Sequence, residues 1–200
     1  MKSVFVVLLL LMATQMASAD FTETYGWEDT DTILGMYPDT CIIAAISVSP
    51  VYSGAQSLYV LDNHPDGTPQ AYIAWIVGLQ DGDEVTGSFW RHDLTPGGSP
   101  SCRIWGHWND DPNDIGVYSG SASGNSEYGP GTGWDETSYV WTVADGHTGL
   151  VIECRTYSSL GDDVWIDEMS VTVPDGAEIR FPGYVVALEN STWADIKAAF

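Results

Sequence analysis

The sequence predicts an all-β protein, an antiparallel β-sandwich of jelly-roll type. Short runs rich in β-branched and aromatic residues alternate with stretches of Gly, Pro, Asp and Asn, such as 62–67 and 119–133. No helical pattern lies between these runs, so neighbouring runs are expected to pair as antiparallel strands. Eight such strands need two sheets packed face to face.

The predicted strands cover, in chain order, residues 41–49, 56–61, 70–79, 84–93, 101–108, 138–144, 150–158 and 163–173. They are assigned to one domain, residues 20–179, because a chain of this length is enough for one well-buried core and short for two. Residues 180–200 are predicted to be a linker and a tail. In this tail Trp193, Ile196 and Phe200 recur at helical spacing, which predicts a short C-terminal helix.

Residues 1–19 have the pattern of a cleavable secretion signal. Lys2 precedes an apolar run that ends at the small residues Ala17, Ser18 and Ala19. That run is too short to span a bilayer comfortably, and no later segment is apolar enough to do so. We therefore expect a secreted protein, extracellular or at the cell surface, whose mature chain does not insert into a membrane.

The charge balance narrows the class of partner. The chain has 6 Lys and Arg residues against 28 Asp and Glu residues, a net charge of −22. Such a surface repels nucleic-acid phosphates and anionic headgroups, which argues against both as partners. Cations and neutral ligands remain, and the acidic charge has an equally good explanation in solubility alone.

Three cysteines permit one disulfide in an exported chain. Cys102 and Cys154 both lie in strand-like runs and are the candidate pair, with Cys41 left over. Three buried free thiols are the alternative, because free cysteine is among the most buried residue types.

Four motifs follow one another in an informative order. They are TYGWED (24–29), YSGAQSLYV (52–60), IVGLQDGDEVTGSFW (76–90) and DDVWIDEMSV (162–171). This succession resembles the jelly-roll carbohydrate-binding modules of families four, nine and twenty-two, within the galactose-binding-like superfamily, over residues 24–174. The resemblance implies a non-catalytic domain that binds a polysaccharide or another glycan.

The same resemblance implies a structural Ca²⁺ ion. In the members that bind calcium, an acidic residue of the first strand meets the aspartate of the last strand at one edge of the sandwich. By position these residues are Glu28, with Asp29 as a further candidate, and Asp167. A hard cation takes six to eight oxygen ligands and would relieve the repulsion between such carboxylates. The alternative is that Asp167 accepts hydrogen bonds from loop amides without any metal.

Sugar binding requires flat aromatic surfaces together with a few polar groups. Strand alternation puts Trp90 and His92 on one face of their run, and Arg103, Trp105 and His107 on one face of theirs. We predict that these five side chains form the open face of one sheet and bind the glycan. Two further residues are expected at its rim, Tyr128 and Trp134. Core packing is the alternative explanation for each aromatic residue.

No catalytic motif is found. The 4 histidines stand alone, and the chain has no G-x-S-x-G, HExxH or P-loop sequence. A pair of carboxylates could hydrolyse a glycoside, but with 28 acidic residues such a pair arises easily by chance. The sequence therefore predicts no enzyme. The second hypothesis is an extracellular structural or adhesion protein without a sugar site, whose tail, 184–200, docks on a sorting or anchoring partner.

Overall fold

In the part of the chain that the structure describes, the strands begin at Asp20 and end at Arg180. The computed structural model describes residues 19–94, 102–129, 132–156 and 160–184. Its strands are β1 (Asp20–Tyr25), β2 (Gly35–Tyr37), β3 (Ile42–Ser47), β4 (Ser57–Asp62), β5 (Gln70–Val77), β6 (Glu84–Asp93), β7 (Arg103–Trp108), β8 (Gly120–Gly124), β9 (Gly133–Thr142), β10 (Gly149–Arg155), β11 (Asp163–Pro174) and β12 (Glu178–Arg180). The predicted tail helix and nearly all of the predicted secretion signal lie outside the described residues.

The strands form two six-stranded antiparallel sheets. Sheet A has the order β3-β4-β11-β6-β9, with β1 also paired to β11, and sheet B has the order β12-β5-β10-β7-β8, with β2 also paired to β5. Each of the eight runs predicted as strands overlaps one of these strands. The predicted all-β antiparallel sandwich is therefore confirmed.

All eight predicted strands are present, and the structure adds four short ones. The additions are β1, β2, β8 and β12, of which β2 and β12 have 3 residues each. Strand β8 reads GSASG and has no β-branched or aromatic side chain. These segments are extended because a neighbouring strand satisfies their backbone groups, which local propensity does not reveal.

The core lies between the inner faces of the two sheets. Trp141 of β9 fills its centre and is 1% exposed. Glycines make room for this indole, since a Cβ added to Gly87 of β6 or to Gly106 of β7 would lie about 3 Å from it. The indole Nε1 donates to the Ser123 carbonyl at 3.1 Å, so the large ring is buried without an unpaired donor.

Strand β11 changes its neighbour halfway along one edge. Residues 163–166 pair with β4, whereas residues 169–174 pair with β1. Between these two segments the pairing with β6 is irregular, and Glu168 has a positive φ of 49°. This β-bulge leaves Asp167 beside a gap between two strands, into which a loop can fold.

Within the described residues, no helix is long and apolar enough to cross a membrane.

Candidate functional site

The predicted glycan-binding face does not exist as one surface. Trp90 and His92 lie on β6 of sheet A, whereas Arg103, Trp105 and His107 lie on β7 of sheet B. All five side chains alternate with inward-facing residues, as the sequence predicted, so the two groups point away from each other on opposite outer faces. The prediction of a shared face is wrong because strand alternation identifies a face but not the sheet that a strand joins.

On sheet A, the predicted residues are packed against other aromatic rings. Tyr52 stacks on Trp90 with ring centroids 4.0 Å apart and an interplanar angle of 12°. His92 contacts Trp134 edge-on at 5.0 Å and Trp165 at 6.2 Å. Burial lowers the pKa of His92, so this imidazole is neutral at physiological pH. Tyr52 therefore covers one face of the Trp90 indole, and this face is not available to a sugar.

The outer face of sheet B contains a cleft of about 390 Å³. Its lining residues extend across the sheet from β2 to β8 and include two residues of the segment that leads into β8, Gly116 and Tyr118. The residues lining it are three tyrosines and several hydrogen-bonding groups: Tyr37, Gln70, Tyr72, Gly116, Tyr118, Ser121 and Arg155. Tyr37 and Tyr118 are 60% and 65% exposed, so their rings are available to a ligand.

Beneath the cleft lies a buried ionic cluster. Glu153 of β10 is 0% exposed, and its Oε1 lies 2.5 Å from His107 Nδ1. Its Oε2 accepts a hydrogen bond from Arg155 Nε. Burial and the charge of Glu153 raise the pKa of Tyr72, which therefore keeps its phenolic proton. Of the predicted set, His107 thus supports the cleft from below and has little exposure of its own.

Trp105 borders the cleft and has arginines on both sides. The guanidinium carbon of Arg103 lies 4.5 Å from the indole centroid, and that of Arg155 lies 4.9 Å from it. The indole Nε1 donates to Ser121 Oγ at 3.3 Å. Arg103 also lies 5.0 Å from the Tyr128 ring. The structure therefore brings together Arg103, Trp105, His107 and Tyr128 of the predicted set, and separates Trp90, His92 and Trp134 from them.

Sequence reasoning missed the residues that form the cleft itself. Tyr72 lies in an apolar run, and Tyr118 follows an acidic loop, so neither stands out by spacing. One feature of the sequence LVIECRTY could have indicated the site. Glu153 and Arg155 share one face of this apolar strand, and buried charges are rare unless they are paired.

The other predicted site, at Asp167, is formed around a loop. Asp167 is fully buried, and its Oδ2 accepts hydrogen bonds from the amides of Tyr52 and Ser53 at 2.9 and 3.1 Å. Glu28 Oε1 accepts from the amides of Ala55 and Gln56 at 2.9 and 3.2 Å. The two carboxylates therefore lie at the same edge of the sandwich and hold one loop.

This loop depends on a glycine. Gly54 has a φ of 70°, and a Cβ there would overlap the Glu28 carboxylate. Asp29 is directed elsewhere, because its Oδ1 accepts from Tyr25 Oη at 2.7 Å and from the Asp31 amide at 3.0 Å. The edge is thus formed by Glu28 and Asp167, without Asp29.

The carboxylate oxygens at this edge are the type of ligand that a hard cation binds, but they are fewer than the six to eight ligands that Ca²⁺ takes. An ideal Cβ on Gly26 would lie 3.6 Å from Glu168 Oε1 and 3.8 Å from Asp167 Oδ1, with the Cγ of Glu28 at 3.9 Å. None of these three acidic residues forms an ion pair within the described part of the chain. Within the same residues, no group of three or more His, Cys, Asp or Glu side chains is arranged to hold a metal. Calcium would need backbone carbonyls or water to complete its shell, and the amides already neutralise part of the charge.

The three cysteines are buried and free in this structure. Cys102 and Cys154, the predicted pair, are neighbours whose thiols are hydrogen-bonded. This contact and burial together raise the pKa of Cys154 well above its usual value.

Sequence comparison matches the chain to no protein-family model and to no curated protein. Solved structures do match it. The CBM22-1 xylan-binding domain of Xyn10C from Paenibacillus barcinonensis is similar with a TM-score of 0.51 at 15% identity, over 79% of this chain and 97% of that domain. The tandem CBM22-1-CBM22-2 domain of the same protein gives 0.52 at 14% identity, over 80% of this chain and 48% of the tandem.

An arabinose-bound α-L-arabinofuranosidase, MgGH51, is similar with a TM-score of 0.50 at 14% identity, over 74% of this chain and 25% of that one. At such identities the likeness is one of fold. It confirms the jelly-roll sandwich and, at the level of the fold, the resemblance to carbohydrate-binding modules.

Proposed function

We propose that this protein is an exported, non-catalytic carbohydrate-binding β-sandwich whose glycan site is the cleft on the outer face of sheet B. The observation that carries the proposal is the cleft itself, about 390 Å³ in volume and lined by tyrosines and hydrogen-bonding side chains. Clefts that bind small ligands are typically of this size and combine apolar surface with a few polar groups. The shared fold with a xylan-binding domain supports the same conclusion.

The chemistry of the lining suits a sugar. Exposed rings such as Tyr118 can stack on a pyranose face, while Gln70, Ser121 and Arg155 can exchange hydrogen bonds with hydroxyl groups. Trp105 holds Ser121 and Arg155 in place from the side of β7. The cleft is preorganised because the residues beneath it are buried and paired.

Affinity electrophoresis against a polysaccharide panel tests this assignment. Tyr118→Ala removes an exposed ring, and Trp105→Ala removes a bordering one, so both are expected to weaken binding at least tenfold. Trp90→Ala is the matched control, because it removes an indole from the outer face of sheet A. Circular dichroism checks that each variant is folded. Binding lost in Trp90→Ala and kept in the other two would contradict the proposed site.

We also propose that Ca²⁺ binds at the loop edge, with Glu28 and Asp167 as its carboxylate ligands. The support is that both carboxylates hold the same loop at one edge of the sandwich and have no cationic partner among the described residues. A metal that binds only the folded state raises the melting temperature. If a chelator at neutral pH leaves the melting temperature unchanged, the amide hydrogen bonds suffice and the edge holds no metal.

The second candidate function remains that of an extracellular structural or adhesion protein. The tail on which it depends, 184–200, lies almost entirely outside the described residues. Deleting this segment distinguishes two roles: loss of surface retention with unchanged melting indicates docking on a sorting or anchoring partner, whereas a lower melting temperature indicates packing on the sandwich.

A further inference from the structure

The few cations of this acidic chain are unevenly distributed. The whole chain has a net charge of −22, and within the described residues its Lys and Arg side chains are Arg91, Arg103, Arg155 and Arg180. Arg103 and Arg155 flank Trp105 beside the cleft, and Arg180 lies on the same sheet, in β12. Three of these four arginines therefore lie on sheet B, and two of them lie beside the cleft.

Arg91 and Arg180 are each held by an acidic side chain close to them in the fold. Arg91 is 3% exposed in its side chain and binds Asp135 through Nε at 3.1 Å and Nη2 at 3.0 Å. Arg180 binds Glu178 through Nε at 3.2 Å and Nη2 at 3.0 Å, and donates from Nη1 to the Pro112 carbonyl at 2.6 Å. Both therefore have structural roles.

Arg103 and Arg155 are different because they face each other. They are direct cross-strand partners in the pairing of β7 with β10, on the same outer face. Like charges in this arrangement destabilise a sheet. Glu153 engages only Nε of Arg155, and within the described residues the Nη1 and Nη2 groups of this arginine have no acceptor. Arg155 also lines the cleft.

We propose that the cleft binds an acidic glycan, one whose sugar units carry carboxylates, and that Arg155 and Arg103 receive the carboxylate. This inference rests on the proposed function and names its ligand class. A guanidinium group presents two parallel N–H donors to a planar carboxylate, and such charge-assisted pairs are the stronger hydrogen bonds. The ligand charge also offsets the repulsion between the two arginines.

The overall negative charge does not prevent this recognition. At physiological ionic strength the Debye length is about 8 Å, so acidic residues farther away are largely screened. Short oligosaccharides keep the remaining repulsion small, since they do not extend over the acidic surface. Local pairing in the cleft then decides the affinity.

Isothermal titration calorimetry with matched ligands tests the proposal. The probes are galacturonate and glucuronate trisaccharides, each as free acid and as methyl ester, together with a neutral xylotriose. The wild type is expected to bind one of the acids at least tenfold more tightly than its ester, which corresponds to about 1.4 kcal/mol. The ester keeps the sugar ring for stacking, removes the charge and adds one methyl group.

Three variants assign the effect to the residues. The quantity compared is the ratio of the affinity for the acid to the affinity for its ester. Arg155→Gln and Arg103→Gln are each expected to bring this ratio close to one, whatever their effect on the affinity for the ester itself. Arg155→Gln removes the partner of the buried Glu153 carboxylate and could therefore fail to fold. In that case Arg103→Gln still tests the proposal. Arg180→Gln is the matched control, since it removes one charge from the same sheet and should leave the preference intact.

The outcomes separate this inference from the proposed function. Binding of xylotriose or the esters without any preference for the acids overturns the acidic-glycan assignment and leaves the glycan cleft standing. A preference that survives in Arg103→Gln or in folded Arg155→Gln also overturns it. Binding of no glycan in the panel overturns both. Equal binding of a sulfated trisaccharide and the carboxylated one would overturn the choice of carboxylate.

Discussion

Two Glu-x-Arg pairs on sheet B place the same side chains, two residues apart, in different environments. In β10, the Glu153 side chain is 0% exposed and that of Arg155 is 11% exposed. In β12, the Glu178 side chain is 47% exposed and that of Arg180 is 9% exposed. The sequence spacing is the same, so the two pairs differ in their burial and in the additional contact of Glu153 with His107.

Glu153→Gln is expected to lower the free energy of unfolding by roughly 3–5 kcal/mol, because breaking one half of a buried ion pair leaves an uncompensated charge. The glutamine keeps the volume of the side chain, but its amide group would direct a donor at either His107 or Arg155, both of which lie against the carboxylate. Glu178→Gln is expected to cost less than about 1 kcal/mol, because water screens an exposed pair.

Urea unfolding followed by tryptophan fluorescence measures both variants, with an unchanged m-value as the check that unfolding is still two-state. Domains of this size are typically stable by about 5–15 kcal/mol, so the expected loss in Glu153→Gln is a large fraction of the total. The reasoning is refuted if Glu153→Gln loses less than about 1 kcal/mol, or no more than Glu178→Gln.

Other features of the structure lead to three further predictions. Burial raises the pKa of Asp167, so its contribution to stability is present below its ordinary pKa, about 3.9, and is lost as pH rises through the raised value. In the presence of chelator, the melting temperature of Asp167→Asn should therefore rise relative to that of the wild type as pH increases above about 4. Parallel curves of melting temperature against pH would contradict this. Oxidative refolding should join Cys102 to Cys154 and leave Cys41 free, as peptide mapping without reductant would show; a link to Cys41 would refute the arrangement. Gly106→Ala should lower the free energy of unfolding by about 1–3 kcal/mol, because it overpacks the core. The new Cβ would lie 2.9 Å from Leu150 Cδ1 and 3.1 Å from Trp141 Nε1. An unchanged midpoint of urea unfolding would show that the core can accommodate the methyl group.

The faces of the strands were predictable, and their partners were not. Alternation correctly divided β6 into an inner set with Phe89 and an outer set with Trp90, because successive side chains point to opposite sides of any strand. It could not tell that β6 lies in sheet A and β7 in sheet B. A hairpin connection between consecutive strands is common, but here the chain crosses from one sheet to the other between them.

The loop edge also combines one feature that was predictable from the sequence with others that were not. The position of Asp167 in an apolar strand predicted that it would have a partner, since a buried carboxylate without one is costly. Only the structure shows that this partner is the pair of amides of Tyr52 and Ser53. They reach Asp167 at the point along β11 where pairing with β4 stops and pairing with β1 starts. The same loop places Tyr52 over Trp90, which closes the surface that the sequence had suggested for a ligand.

By itself, the sequence determined the all-β class, the eight long strands and the residues that face outward, because these follow from local spacing and from the burial preference of each side chain. The tertiary structure alone decided which outward faces coincide. The cleft combines Tyr37 of β2, Tyr72 of β5, Arg155 of β10 and Ser121 of β8, which are distant in the chain and meet only through the order of strands in sheet B. Strand order depends on non-local pairing and packing, for which a single sequence carries no periodic signal.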